Sequence, residues 1–153
     1  MKQIEPCVGT CIAFDYGTKR IGTAVGEGQL QTARPLSTIV NRNGLVDWPA
    51  VAALLDEWQP TDLIVGWPLD NAGEEQIITG HVRGFIRKLE KQFNLPVHRV
   101  DERFSSLAAQ STIRNLRQSG QRKRRSTHAD VDAIAAALIL ESWFADPEHS
   151  YPR

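Results

Sequence analysis

Between two stretches of helical periodicity lies Leu63-Ile64-Val65-Gly66, with no polar side chain at any position. A strand that is apolar on both faces must be covered on both. It therefore calls for a sheet with helices above and below it, and it favours parallel neighbours. Cys11-Ile12-Ala13-Phe14 repeats the pattern near the N-terminus, but there Asp15 ends it, just before Gly17 and the basic pair Lys19-Arg20.

The rest of the chain supplies the partners of these two strands. Residues 10–16 form the first strand, and a tight turn at Gly17-Thr18 leads to a second over 20–27. Gly26 to Gly28 turn the chain into a third over about 31–40, so the three make an antiparallel meander. Asp47 is placed to cap a helix running to about Trp58, with Trp48, Val51, Leu54, Leu55 and Trp58 at helical spacing. The apolar strand over 62–66 follows, then the loop GWPLDNAG. A helix over about 74–93 carries the stripe Ile78, Val82, Phe85, Leu89 and Phe93, with Glu74 and Glu75 in its first turn; Asn94 and Pro96 stop it. VHRVDER is a fifth strand. A helix over about 105–118, the loop SGQRKRRST and a last helix over about 129–144 complete the order β-β-β-α-β-α-β-α-α. The expected fold is α/β, a mixed five-stranded sheet flanked by helices. One domain spans residues 1–153, with its core at about 10–145. The first, fourth and fifth strands run parallel side by side, their C-terminal ends on the edge where open α/β sheets bind ligands.

Composition narrows the class. The chain has 153 residues, 41% hydrophobic and 24% charged, with formal net charge zero, an ordinary globular balance. No apolar run approaches the roughly 18 residues of a membrane helix, and no leader pattern opens the chain, so the expectation is a cytoplasmic protein with no membrane partner. Cys7 and Cys11 have no second Cys/His pair at zinc spacing, and Cys11 reads as a small buried hydrophobe. Charge is unevenly distributed. Between Arg103 and Ala129 there is no acidic residue, while Arg103, Arg114, Arg117, Arg122, Lys123, Arg124 and Arg125 all fall there. This is a local cationic footprint suited to a polyanion.

Three carboxylates stand where chemistry is expected. Asp15 ends the first strand and Glu102 the fifth. Alternation puts His98, Val100 and Glu102 on one face, and Arg99, Asp101 and Arg103 on the other, where Asp101 has arginine partners; Glu102 is thus the site candidate. In the last helix, Thr127 and Asp130 fit a capping box. Asp132 is left in an otherwise apolar helix, VDAIAAALIL, where an unpaired charge is costly. Three acids without a basic partner in the core call for a divalent cation, and hard oxygen donors select Mg2+ or Mn2+.

Five segments, IAFDYGTKRIGTAVG, TARPL, LIVGWPLDNAGEEQ, DERFSS and VDAIAAALILESWF, occur in this order across about residues 10–144. Together they resemble the YqgF/RuvX family. The resemblance implies an RNase H-like fold and a metal-dependent nuclease whose acidic residues fall on Asp15, Glu102 and Asp132. It points to 5′-end processing of pre-16S rRNA in ribosome biogenesis, with resolution of DNA Holliday junctions as the alternative. The partners it implies are structured RNA or DNA junctions and ribosomal precursor particles, bound by a monomer or weak homodimer. Two ions about 3.5–4 Å apart serve such a cleavage, with Asp15 bridging them and Glu102 and Asp132 each holding one.

Substrate contacts are expected from Lys19 and Arg20 beside Asp15, from Arg103, and from the loop Arg122, Lys123, Arg124 and Arg125; such phosphate contacts position a strand without reading it. Trp67 is read either as a base-stacking ring or as packing under its own loop. His81 and His98 are read as structural, and His128 as a candidate for proton transfer. A sugar-kinase-like ATPase shares the Asp-x-Gly-Thr hairpin, but it needs two lobes to enclose ATP. A non-catalytic nucleic-acid-binding adaptor is the rival of another class.

Overall fold

The computed structural model describes residues 9–102, 128–145 and 150–151. The sheet has six strands in the order β3-β2-β1-β4-β5-β6: β1 (Thr10–Tyr16), β2 (Arg20–Glu27), β3 (Thr32–Val40), β4 (Asp62–Trp67), β5 (Val97–Asp101) and β6 (Ser150–Tyr151). β1 pairs antiparallel with β2 and β2 with β3, while β1, β4 and β5 run parallel. The parallel trio and the meander are those expected from the sequence. The two-residue β6 adds an antiparallel edge to β5 in what reads as a polar tail.

Three described helices cover the sheet: α1 (Trp48–Trp58), α2 (Ile77–Phe93) and α3 (His128–Ala145). Asp47 caps α1, its Oδ1 accepting from the Ala50 N–H at 3.2 Å. α1 and α2 end at Gln59 and Asn94, both in the left-handed region. None of these helices is long and apolar enough to cross a membrane. The expected helix over 105–118 lies outside the described residues, as do Arg103, the basic loop at 122–125 and Thr127.

α2 starts at Ile77 rather than at Glu74. The Asp70 carboxylate accepts the Ala72 and Glu74 N–H groups, each at 2.9 Å, and a bridge joins Leu69 to Glu75. The loop's own turn thus captures the backbone that helical periodicity assigns to a first turn. Gln76 and Thr79 then close a reciprocal capping box.

Strand alternation divides the core in two. Ile12, Phe14, Leu63, Val65 and Trp67 face α1 and α2. Cys11, Ala13, Ala24, Ile64 and Val100 face α3, which presents Ala136, Ala137, Leu140 and Trp143. This second layer is built from small residues so that helix and sheet approach closely. A Cβ on Gly22 would stand 2.0 Å from the Asp132 carbonyl oxygen, and one on Gly26 would stand 2.8 Å from Leu140 Cδ2. Cys11 is fully buried as expected, and it is disulfide-bonded rather than a free thiol.

Candidate active site at the sheet edge

Asp15 lies on the α3 face of β1, opposite Gly22 of β2 in the strand register. Its mount is rigid. Phe14 beneath it is fully buried, and the turn beyond it is clamped from β3. Asn41 Nδ2 donates to the Gly17 carbonyl at 3.0 Å and to that of Thr18 at 3.2 Å, while the Asn41 N–H donates to Lys19 at 2.9 Å. Gly17 is required here by close approach, since a Cβ would lie 2.6 Å from the Arg20 carbonyl oxygen.

Glu102 follows directly on β5. Its side chain crosses the end of β4 at Gly66, where a Cβ would meet Glu102 Oε1 at 2.4 Å and Ile139 Cδ1 at 2.7 Å. Gly66 therefore belongs to the strand and leaves the gap through which Glu102 reaches Asp15; the loop of the sequence reading begins after Trp67. Asp15 and Glu102 share a side-chain hydrogen bond.

Two acids in contact at a largely buried edge cannot both ionise freely. Burial raises the Asp15 carboxyl well above its ordinary value, and the charges of Glu102 and Asp132 and the hydrogen bond to Glu102 push it the same way. Glu102 is also raised, by burial first and by the Asp101 charge; the hydrogen bond with Asp15 offsets part of that.

Asp132 reaches the same edge from the first turn of α3. Its charge acts on Asp15, but its Oδ2 takes the Arg20 Nε at 2.9 Å. Sequence reasoning misses this pair, which joins residues 112 positions apart; with no basic partner in sight, it expects three bare acids. Among the described residues, no three acidic, histidine or cysteine side chains stand close enough to share one ion. The donor set is nonetheless of hard oxygens, the kind that Mg2+ and Mn2+ prefer.

The remaining candidates separate cleanly. Lys19 is exposed on the turn beyond Asp15. Trp67 is 1% exposed, with the Arg99 guanidinium 4.3 Å and that of Arg83 5.3 Å from its ring centre. It packs, and no base can stack on it. His98 is structural: its Nε2 lies 2.7 Å from Asp62 Oδ2 and its ring stacks on Trp143. Asp101 is buried. His128 opens α3, and its side chain lies outside the described residues.

The profile of the family described as "RuvX: Holliday junction resolvase" matches residues 9–146. The chain belongs to the RuvX family. A relative from Dechloromonas aromatica, named "Putative pre-16S rRNA nuclease", is 42% identical over 145 residues, covering 95% of this chain and 97% of its own. A Legionella pneumophila protein of the same name is 42% identical, covering 92% and 98%. Among solved structures, Thermus thermophilus RuvC in complex with a Holliday junction substrate superposes with a TM-score of 0.60 at 17% identity, over 94% of this chain and 99% of that one. The yeast mitochondrial Holliday junction resolvase Ydc2 gives 0.56 at 12% identity, over 91% and 79%. These likenesses give this RuvX-family chain an RNase H-like fold. Its edge, where β1, β4 and β5 all end, carries the carboxylates.

Proposed function

We propose that this chain is a divalent-metal-dependent nuclease whose cleaving centre is Asp15, Glu102 and Asp132. Its substrate is the 5′ region of pre-16S rRNA, in the cytoplasm. The observation that carries the reading is the contact of Asp15 with Glu102 at the sheet edge, with the Asp132 carboxylate turned toward them from α3. Membership of the RuvX family and the names of its close relatives support the choice of nucleic acid and of rRNA.

Asp15 and Glu102 share a hydrogen bond, and Arg20 balances Asp132. Asp15, Glu102 and Asp132 would hold the Mg2+ or Mn2+. When bound, a divalent ion supplies charge for the scissile phosphate and lowers the pKa of an attacking water. Both carboxylates would have to be ionised to hold the ion. Arg20 is placed to meet a phosphate oxygen, and exposed Lys19 extends that contact along the strand. Gly66 and Gly22 position the carboxylates by letting Glu102 and α3 come close.

A four-way DNA junction is the second reading, favoured by the description of the family. Side-by-side cleavage of a pre-16S 5′ segment and a four-way junction, with Mg2+ or Mn2+, separates the two. Asp15→Asn and Asp132→Asn should bind but not cut. Cleavage by Asp15→Asn at the wild-type rate would remove the centre. No cleavage of either substrate by the wild type would leave a binding adaptor.

A further inference from the structure

The proposed cleaving centre uses one face of the sheet. On the other, where α2 packs, there is a cavity of about 260 Å3. It begins at Tyr16, the residue after Asp15, and is lined by the rings of Tyr16, Trp48 and Phe85. Trp48 stacks on Phe85 with centres 5.5 Å apart, and Tyr16 tilts on Phe85 at 5.2 Å. Phe85 is buried, whereas Tyr16 and Trp48 are only half-buried and keep open surface. Gly44, Leu45 and Val46 and the exposed His81 and Lys88 also line it, and no acidic side chain does. Among the described residues neither His81 nor Lys88 is held in an ion pair.

Two glycines of α2, Gly80 and Gly84, also border this cavity. Neither is there for packing, since a Cβ at either would meet nothing within 4 Å. Each costs a helix interior about 1 kcal/mol relative to alanine. What their bareness provides is room. At this size the space takes one ring system, being below the roughly 300–1,000 Å3 of sites for drug-sized molecules. Aromatic walls stack on any base, and the Lys88 cation, with the His81 ring beside it, suits a flanking phosphate. A second copy docking symmetrically on the Gly80–Gly84 seam would set the same cations of the two chains against each other.

We propose that the Tyr16–Trp48–Phe85 cavity receives one unpaired base of the nucleic acid strand whose phosphate lies at Asp15. The proposal rests on the nucleic-acid reading above, and it adds a preference for substrates with an unpaired nucleotide beside the cut. Tyr16 links the two places: its backbone continues the strand that carries Asp15, and its ring forms part of the cavity.

The test is binding by the full chain in EDTA, where no divalent ion is available for cutting. The probes are a labelled ten-nucleotide oligouridine and a fully paired RNA duplex of the same length. Gly84→Leu fills the space with a good helix former, and its thermal midpoint should equal or exceed that of the wild type. It should weaken oligouridine binding about tenfold and leave duplex binding within about twofold. Oligouridine should quench tryptophan emission, and Trp48→Phe should remove that quench. Equal binding of oligouridine by Gly84→Leu and wild type overturns the base site while leaving the nuclease reading intact. A wild type that binds neither probe overturns both. A free protein that sediments as a dimer, and as a monomer after Gly84→Leu, assigns the groove to a second copy and overturns the proposal.

Discussion

Replacing Gly22 with alanine tests how Asp132 is positioned. The added methyl would stand 2.0 Å from the Asp132 carbonyl oxygen and 2.9 Å from the Ala133 nitrogen, both backbone atoms of α3. Ordinary contact begins near 3.4 Å, so the start of the helix must retreat by roughly 1.4 Å. Overpacking of this kind typically costs about 1–3 kcal/mol. With α3 also easing off Ala24 and Ala13, we expect the upper half of that range. For a domain of this length that lowers the thermal midpoint by about 4–12 °C. Displacing a carboxylate of the proposed centre by about 1 Å should cost about a hundredfold in rate, so cleavage should fall far more than stability. Gly84→Ala is the matched control: its methyl meets nothing, and it should stabilise α2 by about 0.5–1 kcal/mol. Thermal denaturation and single-turnover cleavage of the three proteins give the result. If Gly22→Ala melts and cuts like the wild type, then α3 does not rest on β2 as described, and the placement of Asp132 is wrong.

Asp15→Asn should raise the thermal midpoint by about 3–6 °C while abolishing cleavage, because burial no longer has to hold a carboxyl away from its ordinary value; a fall in stability would make Asp15 structural. The pH dependence has a definite sign. Asp15 and Glu102 have raised folded values, so their contribution favours the fold at pH below the ordinary carboxylate value and is lost as pH rises through the raised ones; Asp15→Asn should remove the Asp15 share of this slope and leave that of Glu102, which its own burial and Asp101 raise. Asp62 behaves oppositely. Its hydrogen bond with His98 lowers it, so Asp62→Asn should cost about 1–2 kcal/mol near neutrality, and the gap from wild type should close as pH falls below about 3.8 in thermal scans. Asn41→Ala frees the carbonyls of Gly17 and Thr18; it should cost about 1–2 kcal/mol and speed hydrogen exchange at residues 17–20.

The parts of the site legible in the sequence were those carried by local period. β1 and β2 begin and end where alternation and the Gly17 turn put them. Two-residue alternation along VHRVDER separates Glu102, which reaches Asp15, from buried Asp101. Asp132 stands out because the eight residues after it, Ala133 to Leu140, are all apolar. What was not legible came from distant partners. Nothing local in the sequence joins Arg20 to Asp132, or Asn41 to the turn beyond Asp15. Gly66 and Gly22 look like turn or strand glycines until the side chain or helix that crosses them is known. The start of α2 was misplaced because Asp70 competes for the same N–H groups as a helical first turn.

α3 supplies both the lid over one face of the sheet and the third carboxylate. During synthesis β1 and β5 are complete long before that helix emerges. The growing polypeptide then carries Asp15 and Glu102 but no Asp132, and Ala13, Ile64 and Val100 have no cover. The third carboxylate and the cover of this hydrophobic layer thus arrive together, on one helix.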